Sequence, residues 1–404
     1  MKKFKIMIIG AGVAGAILAR RLSRIPQFEV CCLEKVSADD HSEAGTGLNV
    51  GPNAIKALLH TDPALAEAVL AASLPWASWR VSLTDGRCLF DLPLAQVADN
   101  PGIRIRWSEL YRVLRAGAGA TVRYGTHIEH IGPSGHDDRR TTVRWVEDGK
   151  QQTMDDIDLL IGTDGRYSAT RATFSGAPQA RQVGVAILRT LVEDHSQGLI
   201  DDYEQWFNGP HRLLAFRVPP GHIYIAATFP IDKGAEIPAE WKTGTVMRQT
   251  YLPAGTPPCP KVAWLLDAMC DNLEHSHWAR MQESDILYAD PQRQVMYVGD
   301  SAHGMVPTLG QGATQAIEDA CIAADILEQA VTDGNVDVRQ WLEQVATARS
   351  DRMRFVMDLS IAATDTMLPD SDPVTGAQWK TEPPFLASLS ALFREVPFAQ
   401  PAMV

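Results

Sequence analysis

The stretch GAGVAG, Gly10 to Gly15, constrains this chain more than any other. It stands between an apolar run, Lys5–Ile9, that reads as a buried strand, and Ala14–Ser23, which reads as a helix. A second apolar strand follows at Phe28–Leu33 and runs into Glu34. Glycines at this spacing permit a tight turn at Gly10, backbone approach to a pyrophosphate at Gly12, and close helix–strand packing at Gly15. The helix N-terminus then presents its amides and its dipole to the phosphates. Glu34 lies 24 residues after Gly10, where ribose hydroxyls need an acceptor. Together these residues predict a βαβ unit that holds a dinucleotide. An acid at 34 repels a 2′-phosphate, so the loop does not suit NADP, whereas FAD and NAD both remain open.

The basic, apolar start MKKFKIMIIGAGVAGAILA also looks like a secretory signal peptide. The fingerprint spacing, and a helix that continues into Arg20–Ser23, favour strand, turn and helix instead. No other run of about twenty apolar residues occurs, so no membrane span is expected. A net charge of -12 argues against a nucleic-acid or anionic-membrane partner. Six cysteines are scattered without a CxxC pair or a zinc spacing, so a cytoplasmic protein with reduced thiols and no metal site is expected.

Further along, Asn53–Leu59, Pro63–Ala71 and Ser108–Leu114 read as helices, and Thr121–Tyr124 and Thr141–Val146 as strands. Trp79–Leu94, with Thr84-Asp85-Gly86 at its centre, reads as a hairpin. Asp158–Ile161 is a short apolar strand. From Val183 to Pro230, β-like segments alternate with turn residues, as in an antiparallel layer. The stretch from Asp232 to Pro260 reads as irregular, and Val262–Asn272, Gln315–Ala330, Val338–Ala363 and Phe385–Arg394 as helices. The expected fold is α/β: a Rossmann-like dinucleotide domain with an inserted, mostly antiparallel β-sheet layer and C-terminal helices. The expected division is 1–75, 98–178 and 285–345 for the dinucleotide domain, 76–97 and 179–284 for the substrate domain, and 346–404 for a helical segment.

Two more Gly-rich junctions follow apolar strands: GTDGRYSATR from Gly162, and GDSAHGMVPTLGQG from Gly299. With all three motifs in order, the chain resembles the single-component flavin-dependent aromatic hydroxylases, the para-hydroxybenzoate hydroxylase-like group. The resemblance spans about residues 4–350. It implies that Gly10, Gly12, Ala14, Gly15, Glu34 and Lys35 hold the ADP half of FAD, with Asp164 and Gly165 near the pyrophosphate. Asp300 is then the acid that bonds the ribityl chain, and Leu309-Gly310-Gln311-Gly312 the backbone at the flavin's pyrimidine edge. Pro307 flanks the face where oxygen reacts. EAGTGLNVGPNA matches the family's loop after the second strand at Gly45, Gly47 and Pro52. The family's FAD-binding Arg, three residues before a Leu, is replaced here by Trp107. Arg106 precedes it, and either Arg106 takes that role from a shifted register or the chain binds FAD without it.

The implied reaction is hydroxylation of a small electron-rich aromatic or N-heteroaromatic compound, of hydroxybenzoate or hydroxypyridine type, by a monomer or homodimer. NADH or NADPH is the transient hydride donor and dioxygen reacts as a flavin C4a-hydroperoxide. His211, Asn49 and Pro307 are the catalytic candidates, and Asn49, His211, Arg217 and Tyr224 the substrate contacts. His222 and His303 are weaker candidates for a base. An FAD-dependent oxidoreductase without oxygen insertion, and a non-enzymatic redox-sensing module, are the alternatives. A plain NAD dehydrogenase has no use for the Asp300 motif, and no Trp-x-Trp-x-Ile-Pro motif marks a halogenase.

Overall fold

The first strand organises the molecule. The structure, a computed structural model, describes residues 3–39 and 46–398. Phe4–Ile9 is apolar apart from Lys5, and Ile6, Met7 and Ile8 are fully buried, as a strand covered on both faces requires. It pairs in parallel with Phe28–Leu33 on one side and Leu159–Gly162 on the other. Val295–Tyr297 and Ala289–Asp290 extend the sheet beyond Leu159–Gly162, and Val122–Arg123 closes the opposite edge. The register sets Ile9 beside Gly162, and Gly162 beside Tyr297. Three sequence-distant strands therefore end in one row, and the three Gly-rich turns leave from that row. In open parallel sheets, ligands bind at the carboxyl ends of the strands.

Val13–Leu22, Gln311–Thr332 and Val338–Ala362 cover one face of this sheet. A seven-stranded sheet forms a second layer, in the order His277–Glu283, Arg181–Glu193, His222–Pro230, His211–Val218, Glu204–Asn208, Ser78–Leu83, Cys88–Pro93. All its pairs are antiparallel except Glu204–Asn208 with Ser78–Leu83. The Ser78–Leu83 and Cys88–Pro93 hairpin thus joins a sheet built mostly from residues a hundred positions later. A small sheet of Gly47–Val50, Gly102–Arg106 and Leu74–Trp76 lies between the two layers.

Side chains alternate across the seven-stranded sheet. Leu214, Phe216 and Val218 face the core shared with the dinucleotide layer. Leu213 and Ala215 face a separate core on the outer side. That outer core is closed by Pro260–Cys270 and by Gly244–Tyr251, a helix within the stretch expected to be irregular. Met247 and Tyr251 are fully buried there, and the Tyr251 hydroxyl donates to the Thr228 carbonyl at 2.8 Å. Packing stabilises a helix too short to form alone. Other expectations also shift. Thr121–Tyr124 shrinks to Val122–Arg123, and His127–Pro133, Lys150–Ile157 and His277–Glu283 are additional strands. Among the described residues, no helix is long and apolar enough to cross a membrane.

Candidate active site

Gly10 and Gly15 are required by the protein itself. At Gly10, where φ is +97°, a Cβ would lie 2.7 Å from the Thr163 carbonyl oxygen; at Gly15 one would lie 1.9 Å from the Gly10 carbonyl oxygen. Gly12 differs. A Cβ there would meet no protein atom within 4 Å, and the residue lines a cleft of about 590 Å³. The room beside Gly12 is space that the protein leaves open, as a pyrophosphate needs. Glu34 is buried at the wall of the same cleft. Its Oε2 accepts the Ala11 N–H at 2.6 Å, and its Oε1 accepts the Val36 N–H at 3.2 Å. The carboxylate thereby holds the glycine turn in shape. Lys35 lies exposed at the rim, and Ala14 packs behind the turn.

Besides Lys35, this cleft holds a cation that the motif reading missed. Arg106 ends the Gly102–Arg106 strand opposite Gly47 and is not among the residues lining the cleft. Arg115 lines it instead. Its Nε donates to the Ala11 carbonyl at 2.9 Å, its Nη2 stands 3.7 Å from Glu34 Oε2, and its Nη1 is buried without a partner. The reason is helical geometry. The helix begins at Trp107, so Trp107, Tyr111 and Arg115 recur at i, i+4 and i+8 on one face, and that face is the cleft wall. This spacing was the available signal.

Asp164 and Gly165 also line the cleft, but the Asp164 carboxylate turns inward. It accepts from the Ser168 hydroxyl at 2.6 Å and from the Thr170 N–H at 3.0 Å, shaping the loop rather than reaching for a ligand. Gly165 has φ +78° and open space around it. Arg171, fully buried, donates to the Ser301 and Ala302 carbonyls and to Asp285. The mid-chain motif thus clamps the late one.

Next to Gly165, Arg166 opens a second chamber of about 510 Å³, where its Nη2 is 3.6 Å from Asp300 Oδ2. Asp300, Pro307, Gly310 and Gly312 line this chamber. Gly310 has φ +66° and starts Gln311–Thr332; a Cβ on it would lie 2.3 Å from Asn49 Nδ2. The bare helix start is therefore kept open by glycine and flanked by Asn49. Gln311 turns away into the core, where its Oε1 accepts from Asn53 at 3.2 Å and from Gln315 at 3.0 Å. His303 is also inward. Its Nε2 lies 2.7 Å from Asp319 Oδ2, and Asp319 further accepts the Gly299 N–H at 3.0 Å and Arg349 Nε at 2.7 Å. Burial pushes the Asp319 carboxyl up, but His303 and Arg349 outweigh it and hold the group well below the usual carboxylate range. His303 is a structural member of this buried network.

The far wall of the chamber is the inner face of the seven-stranded sheet. Gly47 packs there so closely that a Cβ would lie 2.7 Å from Tyr224 Cβ. Tyr224 and Asn49 line the chamber as expected from the sequence, but His211 and Arg217 do not. His211 lies on the outer face, edge-on to Phe229 and Tyr251, and Arg217 points to Asp201 at 3.2 Å. The inward residues of that strand are Arg212 and Leu214. A period of two puts the neighbour of a lining residue on the opposite face. His222 sits at the strand end, with Nδ1 against the Pro220 carbonyl. Among the described residues, no histidine lines the chamber. Burial raises the Tyr203 and Tyr224 hydroxyls above the usual tyrosine range, so both remain proton donors near neutral pH.

The two chambers meet at neighbouring residues, Gly165 lining one and Arg166 the other. Their glycine floor, buried acceptor at Glu34 and open helix start fit a flavin dinucleotide. No protein-family model matches the chain. It is 26% identical over 328 residues to 2-heptyl-3-hydroxy-4(1H)-quinolone synthase of Pseudomonas aeruginosa, covering 79% of each chain. It is 25% identical over 356 residues to FAD-dependent urate hydroxylase of Klebsiella pneumoniae, covering 87% of each. In fold it matches the crystal structure of Klebsiella pneumoniae HpxO complexed with FAD and uric acid, with a TM-score of 0.79 and 20% identity over 98% of this chain and 97% of that one. In sequence and in fold, the chain is similar to the single-component FAD-dependent aromatic hydroxylases, as its three motifs imply.

Proposed function

We propose that the protein is an FAD-dependent monooxygenase that uses NADH or NADPH and dioxygen to hydroxylate a small electron-rich aromatic or N-heteroaromatic substrate. The observation that carries this reading is one chamber lined by the Gly310–Gly312 helix start, by Pro307 and by the sheet residues Leu214, Tyr224 and Ala226, with Gly165 of the dinucleotide cleft adjacent to its Arg166. FAD, when bound, supplies hydride acceptance and oxygen activation. The chain supplies the rest. Gly12 and the amides beyond it receive the pyrophosphate, and Glu34 the ribose. Asp300 receives the ribityl hydroxyls. The helix start at Gly310 stabilises negative charge placed against it. Ile187, Leu214, Ala226 and Met305 give the substrate ring an apolar seat and exclude water. Tyr224 donates a hydrogen bond to a ring oxygen and Asn49 positions the opposite edge. The reading carries with it a cytoplasmic enzyme acting as a monomer or homodimer.

The test is an oxygen-consumption screen of purified protein with hydroxybenzoates and hydroxypyridines, each with NADH and with NADPH. The expected result is bound oxidised flavin by absorbance and a product heavier by one oxygen atom. Flavin-free protein, or reductant oxidation without any oxygenated product, counts against the reading.

A further inference from the structure

Behind the second chamber lies a sealed cluster of charge. Glu318, Asp319 and Arg349 are each no more than 1% exposed, and Arg352 reaches in beside them. Arg349 stands on Val338–Ala362, outside all three Gly-rich motifs. Its guanidinium reaches three acceptors at once on the neighbouring helix, Gln311–Thr332. Nε donates to Asp319 Oδ1 at 2.7 Å, Nη1 to Glu318 Oε1 at 2.5 Å and Nη2 to Gln315 Oε1 at 2.5 Å. Residues 315, 318 and 319 share one helix face, and the rigid fork of an arginine can serve several acceptors set side by side.

Two arms of this fork lead to the two ends of the late Gly-rich loop. Through Asp319 it reaches the turn that carries Asp300. Asp319 Oδ2 accepts the Gly299 N–H at 3.0 Å and lies 2.7 Å from His303 Nε2. A Cβ on Gly299, where φ is +66°, would lie 3.2 Å from Ala316 Cβ, so that turn rests directly on the helix. Through Gln315 the fork reaches the helix start. Gln315 Nε2 donates to Gln311 Oε1 at 3.0 Å, and Gln311 stands between Gly310 and Gly312. Asp300, Gly310 and Gly312 line the second chamber, whereas Arg349 is not among its lining residues. Buried ion pairs add little net stability over well-packed apolar residues, and their best-attested use is to fix one arrangement.

We propose that Arg349 is a positioning residue of the flavin site. It fixes the spacing between the Asp300 turn and the Gly310–Gly312 helix start, and so holds the ribityl end and the ring end of the site in register. The inference rests on the flavin reading of that loop and adds to it a helix outside the motifs. It carries a selective consequence. The first cleft, with Gly12, Glu34 and Arg115, receives the ADP half of FAD, and none of Arg349's partners lines it. A displaced late loop therefore weakens FAD and spares ADP. Arg352 is an internal control. It lies one turn further along the same helix and also bonds Glu318, at 3.1 Å, but its other bonds go to the Ala391 and Leu392 carbonyls and to neither end of the loop.

The experiment measures FAD and ADP binding to the full-length apoprotein by isothermal titration calorimetry, in the wild type and in three variants. Arg349→Lys keeps the charge and loses the fork. Gln315→Met cuts the arm to the helix start while Arg349 keeps both carboxylates, and it decides the question alone if the lysine variant does not fold. Both variants should bind FAD about 10-fold more weakly, the size of one charged hydrogen bond no longer made to the cofactor, and ADP within about 2-fold of the wild type. In Arg352→Gln the melting temperature should fall while both affinities stay within about 2-fold of the wild type. Equal losses of FAD and ADP affinity in the first two variants, or an unchanged FAD affinity in them, overturns the proposal. The same FAD-selective loss in Arg352→Gln also overturns it, because any weakening of the helix pair would then suffice. Wild-type apoprotein that binds ADP but no FAD removes the flavin reading itself.

Discussion

The first cleft is shaped by glycine turns at Gly10, Gly12 and Gly165, whereas from Ile187 to Gln282 the chamber wall is side chains on strands. In the first region glycines, with nothing to project, set the shape of the turn beside the Glu34 and Arg115 side chains. Gly10 and Gly15 are required because neighbouring carbonyls leave no room, whereas a Cβ at Gly12 would meet only the open cleft. In the second, Arg189, Arg212 and Tyr224 line the chamber with their side chains. The first region is built to accept one fixed group that many proteins share. The second presents side chains, which alternate in facing along each strand and so set what the chamber displays. The difference separates cofactor binding from substrate choice, and each half can be damaged alone.

The largest effect is expected at Gly12. Replacement by valine should weaken FAD binding more than about 100-fold in an apoprotein reconstitution assay, while the melting temperature of the apoprotein stays close to that of the parent. That split follows from the absence of any protein atom near its Cβ; loss of folding would show that Gly12 serves the protein and blur the distinction between the two regions. An intermediate effect is expected at Asp300. Asp300→Ala should lower FAD affinity about 10-fold, the loss of one or two charged hydrogen bonds, and unchanged flavin content would remove the ribityl assignment. The smallest effect is expected at His211. Because its ring packs on Phe229 and Tyr251 outside the chamber, His211→Phe should leave steady-state turnover within about 2-fold of the parent. A large fall in turnover with normal flavin reduction would return His211 to the active site and make the outer face functional.

The same contrast explains what could be read from the amino-acid sequence alone. Glycine spacing reports backbone demands, and those are local, so all three motifs and the strands leading into them were legible. Side-chain roles on a sheet depend on register, and a shift of one residue exchanges His211 for Arg212. Nothing in HRLLAFRV marks which parity faces the cleft, since both faces are apolar and both are covered. Arg115 lay hidden for a related reason: the motif position directs attention to the helix start, whereas the helix face carries the cation two turns on. His127–Pro133 and Lys150–Ile157 escaped because most of their residues are exposed and show little apolar alternation.

The row formed by Ile9, Gly162 and Tyr297 has a consequence for how the molecule comes into being on the ribosome. The N-terminal strand emerges first, but its neighbour on one side is made only after most of two further sheets, and the strand beyond that after nearly three quarters of the chain. Until Val295–Tyr297 and the helix after it leave the exit tunnel, the βαβ unit has an open edge and a partly uncovered face, a combination prone to wrong pairing. Cofactor capture is thereby a late event in biosynthesis. A chain cut short before Gly299 keeps the glycine fingerprint intact and yet lacks the late Gly-rich turn, and one cut inside Gln311–Thr332 lacks part of the helix that covers the sheet.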